Sequence, residues 1–179
     1  MAEPREIVEF WRKAGYARWF AVNAEFDREL ESRFAADHFA AARRERERWL
    51  EDATGALALV LLLDQVPRNI FRGSAHAFAT DPLARHCAER AIDAGHDAAF
   101  EPALRAFFYM PFEHSEDLRD QQRAVALFEA LGDAEYLRYA LLHRDVIARF
   151  GRFPHRNPVL GRTTTAEERA YLDGGGFAG

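Results

Sequence analysis

Residues 54–69 read TGALALVLLLDQVPRN. At about 100° per residue, Leu57, Leu59, Val60, Leu61, Leu62 and Leu63 point to every side of a helix axis. A helix that is apolar all round has no face to give to water, so it runs through the middle of a core. Thr54 reads as its N-cap. Pro67 reads as its stop, because proline lacks an amide donor and crowds the preceding turn. Such a rod needs other helices around it.

The flanking sequence supplies them. Pro4 opens a first helix with Ile7, Val8 and Trp11 on one face and Gly15 as its stop. Over 21–34, Val22, Phe26, Leu30 and Phe34 recur at helical spacing, and 35–51 is a further helical stretch. Its charged end, ARRERERWLED, reads as a solvated face with intrahelical pairs. Beyond the rod, Asp81-Pro82 starts a helix carrying Leu83, Cys87, Ala91 and Ile92 that stops near Gly95. Pro102 opens another through Leu104, Phe107 and Phe108, before Pro111. Ser115 caps a long helix that ends at Gly132, and 134–150 is helical with Gly151 at its C-terminal turn. Thr165 and Glu168 form a capping box for a last short helix around Tyr171. No segment alternates like a strand. The expectation is an all-α fold of about eight or nine helices, packed as antiparallel hairpins through short turns. It is one domain over 1–173, followed by a loose Gly-rich tail, GGGFAG, at 174–179.

Composition narrows the function classes. With 49% hydrophobic and 30% charged residues in 179, the chain has the make-up of a soluble globular protein able to bury a core. A single cysteine, Cys87, excludes an internal disulfide and fits a reducing compartment. The start MAEPREIVEF is not a secretory signal, and the apolar run 56–63 is too short to span a bilayer. Both point to the cytoplasm. A net charge of −5 argues against a nucleic-acid groove. Of 24 basic residues only Lys13 is lysine, which follows GC-rich coding more simply than function.

Three clusters carry chemistry. Asp64 lies on the same side of the buried rod as Leu57, Val60 and Leu61, and a buried carboxylate needs partners. Gln65, Arg68, Asn69 and Arg72 follow it and are the candidates. Either they form a structural ion-pair network or they line a site. In MPFEHSED, Ser115, Glu116 and Asp117 suit a helix start, whereas Glu113 and His114 precede it. The third cluster is HRDVIARFGRFPHRNPVLGR, 143–162, with five arginines and two histidines against the single acid Asp145. His143 sits inside the apolar stripe Tyr139, Leu142, Val146, Ile147 and Phe150. Asp145 and Arg149 form an i,i+4 pair, and Arg149 with Arg152 against this one carboxylate leaves positive charge that Asp64, a glutamate elsewhere or a bound anion answers. His155, Arg156 and Asn157 lie between two prolines, where side chains are aimed rather than free. No HxxxH, HxH or CxxC spacing, GxSxG, P-loop or Rossmann pattern occurs, so neither metal nor cofactor is expected.

The segments LLLDQVPRNIFRGSAHAFATDP, RAFFYMPFEHSED and HRDVIARFGRFPHRNPVLGRTTTAEE, with FWRKAGYARWF and FDRELESRF earlier, resemble a bacterial family defined as domain of unknown function 924. The resemblance spans essentially the whole chain. Val66 departs from it where phenylalanine is more usual, a change of volume and not of charge. It implies an all-helical fold similar to tetratricopeptide (TPR-like) hairpins and carries over no catalytic residue.

The residues themselves favour a binding module with an Arg/His-lined pocket for an anionic small molecule or a peptide carboxylate, since arginine forks match such groups. The first alternative is a hydrolase or transferase acting on a phosphorylated or acylated small molecule, with Asp64 or Glu113 as base beside a histidine. The second is an interaction scaffold with a structural polar core.

Overall fold

A computed structural model describes the whole chain, Met1–Gly179. It is helical and holds no strand. The helical segments are α1 (Pro4–Ala14), α2 (Tyr16–Trp19), α3 (Ala24–Ala42), α4 (Ala53–Val60), α5 (Val66–Ile70), α6 (Asp81–Asp93), α7 (Pro102–Glu113), α8 (Leu118–Leu131), α9 (Ala134–Phe150) and α10 (Ala166–Asp173). A π-turn, Leu61–Gln65, splices α4 to α5 into one rod, so the helices number nine and the all-α expectation holds. The chain divides into two compact units, Met1–Pro111 and Phe112–Gly179.

In the first unit the rod is the core. Every residue from Gly55 to Pro67 is buried. α1 and α6 pack on α4, and α3 packs on α5. Trp11 and Trp19 each meet Phe107 edge-on, with centroids 5.5 and 5.0 Å apart, the geometry that ring quadrupoles favour. Asp52, not Thr54, caps α4: its Oδ1 accepts from Gly55 N–H at 2.9 Å. Gly55 is required for close approach, because a Cβ there would lie 2.2 Å from the Trp49 carbonyl oxygen.

Pro67 does not stop the rod. The chain passes through it by widening to a π-turn, with Val66 N–H reaching Leu61 O, five residues back. Nor are 21–34 and 35–51 separate helices. Asn23 caps a single α3, its Oδ1 accepting from Glu25 and Phe26, and the helix ends at Ala42. The charge run then breaks into a turn, with Arg44 at φ 64°, before a short 3₁₀ turn at Glu47–Glu51. Asp81 is the first residue of α6, following Thr80, rather than its cap.

In the second unit α8 and α9 form a helical hairpin across Gly132, which takes φ 79°, and Asp133, whose side chain accepts from Glu135 and Tyr136. Pro111 lies inside α7, which continues to Glu113. Asp117 caps α8 in place of Ser115, whose hydroxyl instead donates to Asp120 at 2.6 Å and accepts from Asp117 N–H at 3.2 Å. The reason is register. α8 starts at Leu118, so the acceptor facing its first amides is the carboxylate directly before it. The Thr165–Glu168 capping box of α10 is present. Val146, Ile147 and Phe153 form the apolar centre of this unit, with Phe150, Tyr171 and Phe177 packed on it.

Candidate functional site

The first unit places Asp64, Gln65, Arg68, Asn69 and Arg72 together at the π-turn. Proline has no N–H to answer Leu62 O or Leu63 O, and side chains do so instead. His38 Nδ1–H donates to Leu62 O at 2.8 Å, and Thr80 Oγ1–H to Leu63 O at 2.6 Å. Arg68 Nη1 donates to Asp64 O at 2.8 Å, and Asn69 Nδ2 to Gln65 O at 2.9 Å. The Asp64 carboxylate is fully buried. It accepts from Gln65 Nε2 at 2.6 Å and lies 3.2 Å from Arg68 Nη1. The Arg68 fork grips Asp81 at 2.8 and 3.0 Å. Arg72 pairs with Asp27 at 2.6 Å and donates to Asn69 Oδ1 at 2.8 Å.

The second unit brings Glu113, His114, His143, His155 and Arg156 together. α9 carries His143 into the apolar centre, where it is 8% exposed. Its Nδ1 is 2.8 Å from Tyr139 O and 3.2 Å from Glu113 Oε1. A carbonyl only accepts, so Nδ1 carries the proton and Nε2 keeps its lone pair. The Phe177 ring lies 4.3 Å from the imidazole, Phe153 5.5 Å edge-on and His114 6.3 Å. Arg156 stacks over Phe153 at 4.4 Å, and His155 lies 5.7 Å from the same ring. Burial pushes the His143 imidazole down to about 3, against the Tyr139 carbonyl, and the positive charge of His114, Arg156 and His155 adds to the drop.

Of the three answers open to the arginine charge, it is glutamates that meet Arg149 and Arg152. Arg152 forms a fork on Glu168 at 2.6 and 2.9 Å, and Arg149 pairs with Glu167 at 3.0 Å. Asp145 turns to Arg144 at 2.6 Å rather than to Arg149. The exposed pair Asp145–Arg149 loses because α10 presents two glutamates to this edge of α9, one of them buried. Glu116 is not merely a helix-end charge. It accepts from Phe153 N–H at 2.8 Å and holds both terminal Arg162 nitrogens, at 2.7 and 2.9 Å. Burial works to raise its pKa, but Arg162 and the Phe153 amide outweigh it and hold the carboxyl below its ordinary value. The Arg152 fork, against burial and with help from the Thr165 amide, holds Glu168 down at about 2. Asn157 joins the network, donating to Glu168 at 3.2 Å and accepting from Arg162 at 2.9 Å.

Sequence reasoning missed His38, Thr80, Gln121, Arg162 and Phe177. Pro67 signals a missing donor, hence a need for polar side chains nearby, but not which ones. Gln121 is buried in α8, and its Nε2 donates to Glu113 O and Ser115 O, each at 2.6 Å. Nothing local marks it. The glycines at 174–176 lead to Phe177, whose ring lies 4.3 Å from His143.

These features define an all-α protein built on a buried, π-turned helix, with an imidazole-rich cluster in its second unit. The model of a bacterial family of unknown function, DUF924, matches residues 7–176, and the chain belongs to that family, as its motifs suggested. A solved structure, that of a protein of unknown function from Agrobacterium tumefaciens, is 56% identical to this chain. The similarity covers 96% of this chain and 97% of that one, with a TM-score of 0.93. Among curated proteins none matches.

Proposed function

We propose that this chain is a ligand-binding helical module, that its site is the His143 cluster of the second unit, and that it takes an anionic small molecule or a peptide carboxylate. The carrying observation is convergence. His114, His155 and Arg156 all lie close enough to His143 to oppose its protonation, against the aromatic walls Phe153 and Phe177. An anion placed among these groups is attracted by Arg156, and by His114 and His155 when they are protonated, and the planar Arg156 fork suits carboxylate or phosphate. His143 Nε2 adds an acceptor for a ligand hydroxyl. The TPR-like description belongs to this reading, with the α8–α9 hairpin as its unit. So does a cytoplasmic location, which suits Cys87, a buried thiol pushed up to about 11 and therefore inert.

An enzymatic role draws on the Glu113–His143 contact, a carboxylate beside an imidazole at 3.2 Å. An imidazole held at about 3 is a poor general base at neutral pH, so binding is the better supported role. The Asp64 cluster supports a third role, purely structural, since its side chains answer the carbonyls of the π-turn.

Calorimetric titration with inorganic phosphate, citrate and phenyl phosphate tests the proposal. At least one binds, and Arg156→Ala or His155→Ala weakens it by about tenfold or more, the scale of a lost charge-assisted hydrogen bond. Absence of heat with all three, from folded protein, removes the anion reading.

A further inference from the structure

The aromatic side of the His143 cluster is already occupied by the chain itself. After α10 ends at Asp173 come three glycines and then Phe177. The Phe177 ring lies 4.3 Å from His143, 5.3 Å from His155 and 6.3 Å from Phe153. Its backbone N–H donates to the Tyr171 hydroxyl at 2.9 Å. Gly176 N–H closes a turn onto Tyr171 O at 2.9 Å, and a Cβ at Gly176 would lie 2.5 Å from the Tyr171 ring. The glycines therefore do a specific job. They bend the backbone tightly around Tyr171 and aim one apolar side chain at one buried imidazole. The segment keeps the flexibility of its tether, because glycine leaves many conformations open once the ring lets go. The rest of the site's lining is carried on α9, on the Pro-bounded turn after it, and at the end of α7 with the turn that follows.

We propose that residues 174–179 form a displaceable strap over the His143 site, with Phe177 holding the place that the apolar part of a ligand takes. This rests on the His143 cluster being the ligand site, and it names the ligand's chemistry: an aromatic or apolar group joined to an anion, as in an aryl phosphate or a peptide end bearing an aromatic side chain. Phe177 takes the ring-lined place, and Arg156 with His155 takes the anion. Strap and ligand compete, so apparent affinity falls by the fraction of time the strap is open, about tenfold if it is closed nine-tenths of the time.

The test uses the full chain, Phe177→Ala, Phe177→Leu and a chain ending at Asp173. Modification of His143 by diethyl pyrocarbonate is followed by peptide mass spectrometry. His38, fully buried in the first unit, reports any global unfolding in the same sample. Phe177→Ala and the shortened chain modify at His143 about tenfold faster while His38 stays slow, and Phe177→Leu remains close to the parent. Equal His143 rates in all four proteins overturn the strap. Calorimetry with phenyl phosphate separates the two ideas. Tighter binding by Phe177→Ala than by the parent supports displacement, and equal binding overturns it. Faster His143 modification with no phenyl phosphate binding to any variant supports the strap as a cover and overturns the ligand reading.

Discussion

At the scale of single residues, the first unit turns on what a proline omits. Pro67 cannot donate to Leu62 O or Leu63 O, and both carbonyls are buried with the rod. Thr80 meets one of them at 2.6 Å from the residue that precedes α6. Thr80→Val removes that donor at nearly constant shape and leaves a buried carbonyl wanting, so urea denaturation should show a loss of about 1–3 kcal/mol, with Thr80→Ser keeping most of the stability. Gly55→Ala is a second residue-scale prediction. Its methyl would overlap the Trp49 carbonyl, and backbone gives way less readily than side chain. The expected cost is about 1–3 kcal/mol or more, read from the same denaturation curves; a Gly55→Ala variant as stable as the parent would show that the 3₁₀ turn before α4 moves freely. The need for a buried rod was legible in the residues. The donors were not, because His38 lies 24 positions and Thr80 17 positions from the carbonyls they serve.

At the scale of elements, the ends of helices decide where functional side chains point. α7 ends at Glu113, and its last carbonyls would be orphans without Gln121, which reaches back from α8 to Glu113 O and Ser115 O. The amide thereby fixes the Glu113–His114–Ser115 turn that faces His143. Gln121→Leu should cost about 2–3 kcal/mol, since it strands two buried carbonyls, and should also shift the His143 ring resonances in an NMR spectrum. Unshifted resonances would show that the turn holds its shape without Gln121. Caps written as local patterns were readable: the Thr165–Glu168 box and the Gly151 terminus stand as expected. Caps decided by register were not. Ser115 and Asp117 are both good caps, and only the position of Leu118 as first helical residue chooses between them.

At the scale of the whole molecule, acid sensitivity integrates these details. His143 has an ordinary value of 6.5 and is held at about 3 when folded. Above 6.5 the imidazole is neutral in both states and contributes no slope. Below it, the unfolded chain takes up the proton and the folded chain does not. Stability then falls as pH drops toward 3, by up to about 1.4 kcal/mol per unit. His38, lowered by burial, acts with the same sign. Glu168, depressed to about 2 from an ordinary 4.5, adds a further loss only as pH falls through that lower window. Urea midpoints should therefore decline between pH 6.5 and 5, and His143→Gln should reduce that slope. An unchanged slope would mean that the native imidazole is already charged.

Local covalent and steric rules were enough to settle several matters from the chain alone. An all-round apolar run must be buried, periodic apolar positions must be helices, and left-handed turns at helix ends favour glycine. These rest on forces between neighbours in sequence, so they survive without coordinates. Pairing did not follow from them. Arg149 and Arg152 chose Glu167 and Glu168 over Asp145, and the three glycines near the end became a tight turn that seats Phe177 on His143. Ion pairs and ring contacts depend on which surfaces packing brings within a few ångströms, and that distance is a property of the folded chain, not of spacing along it.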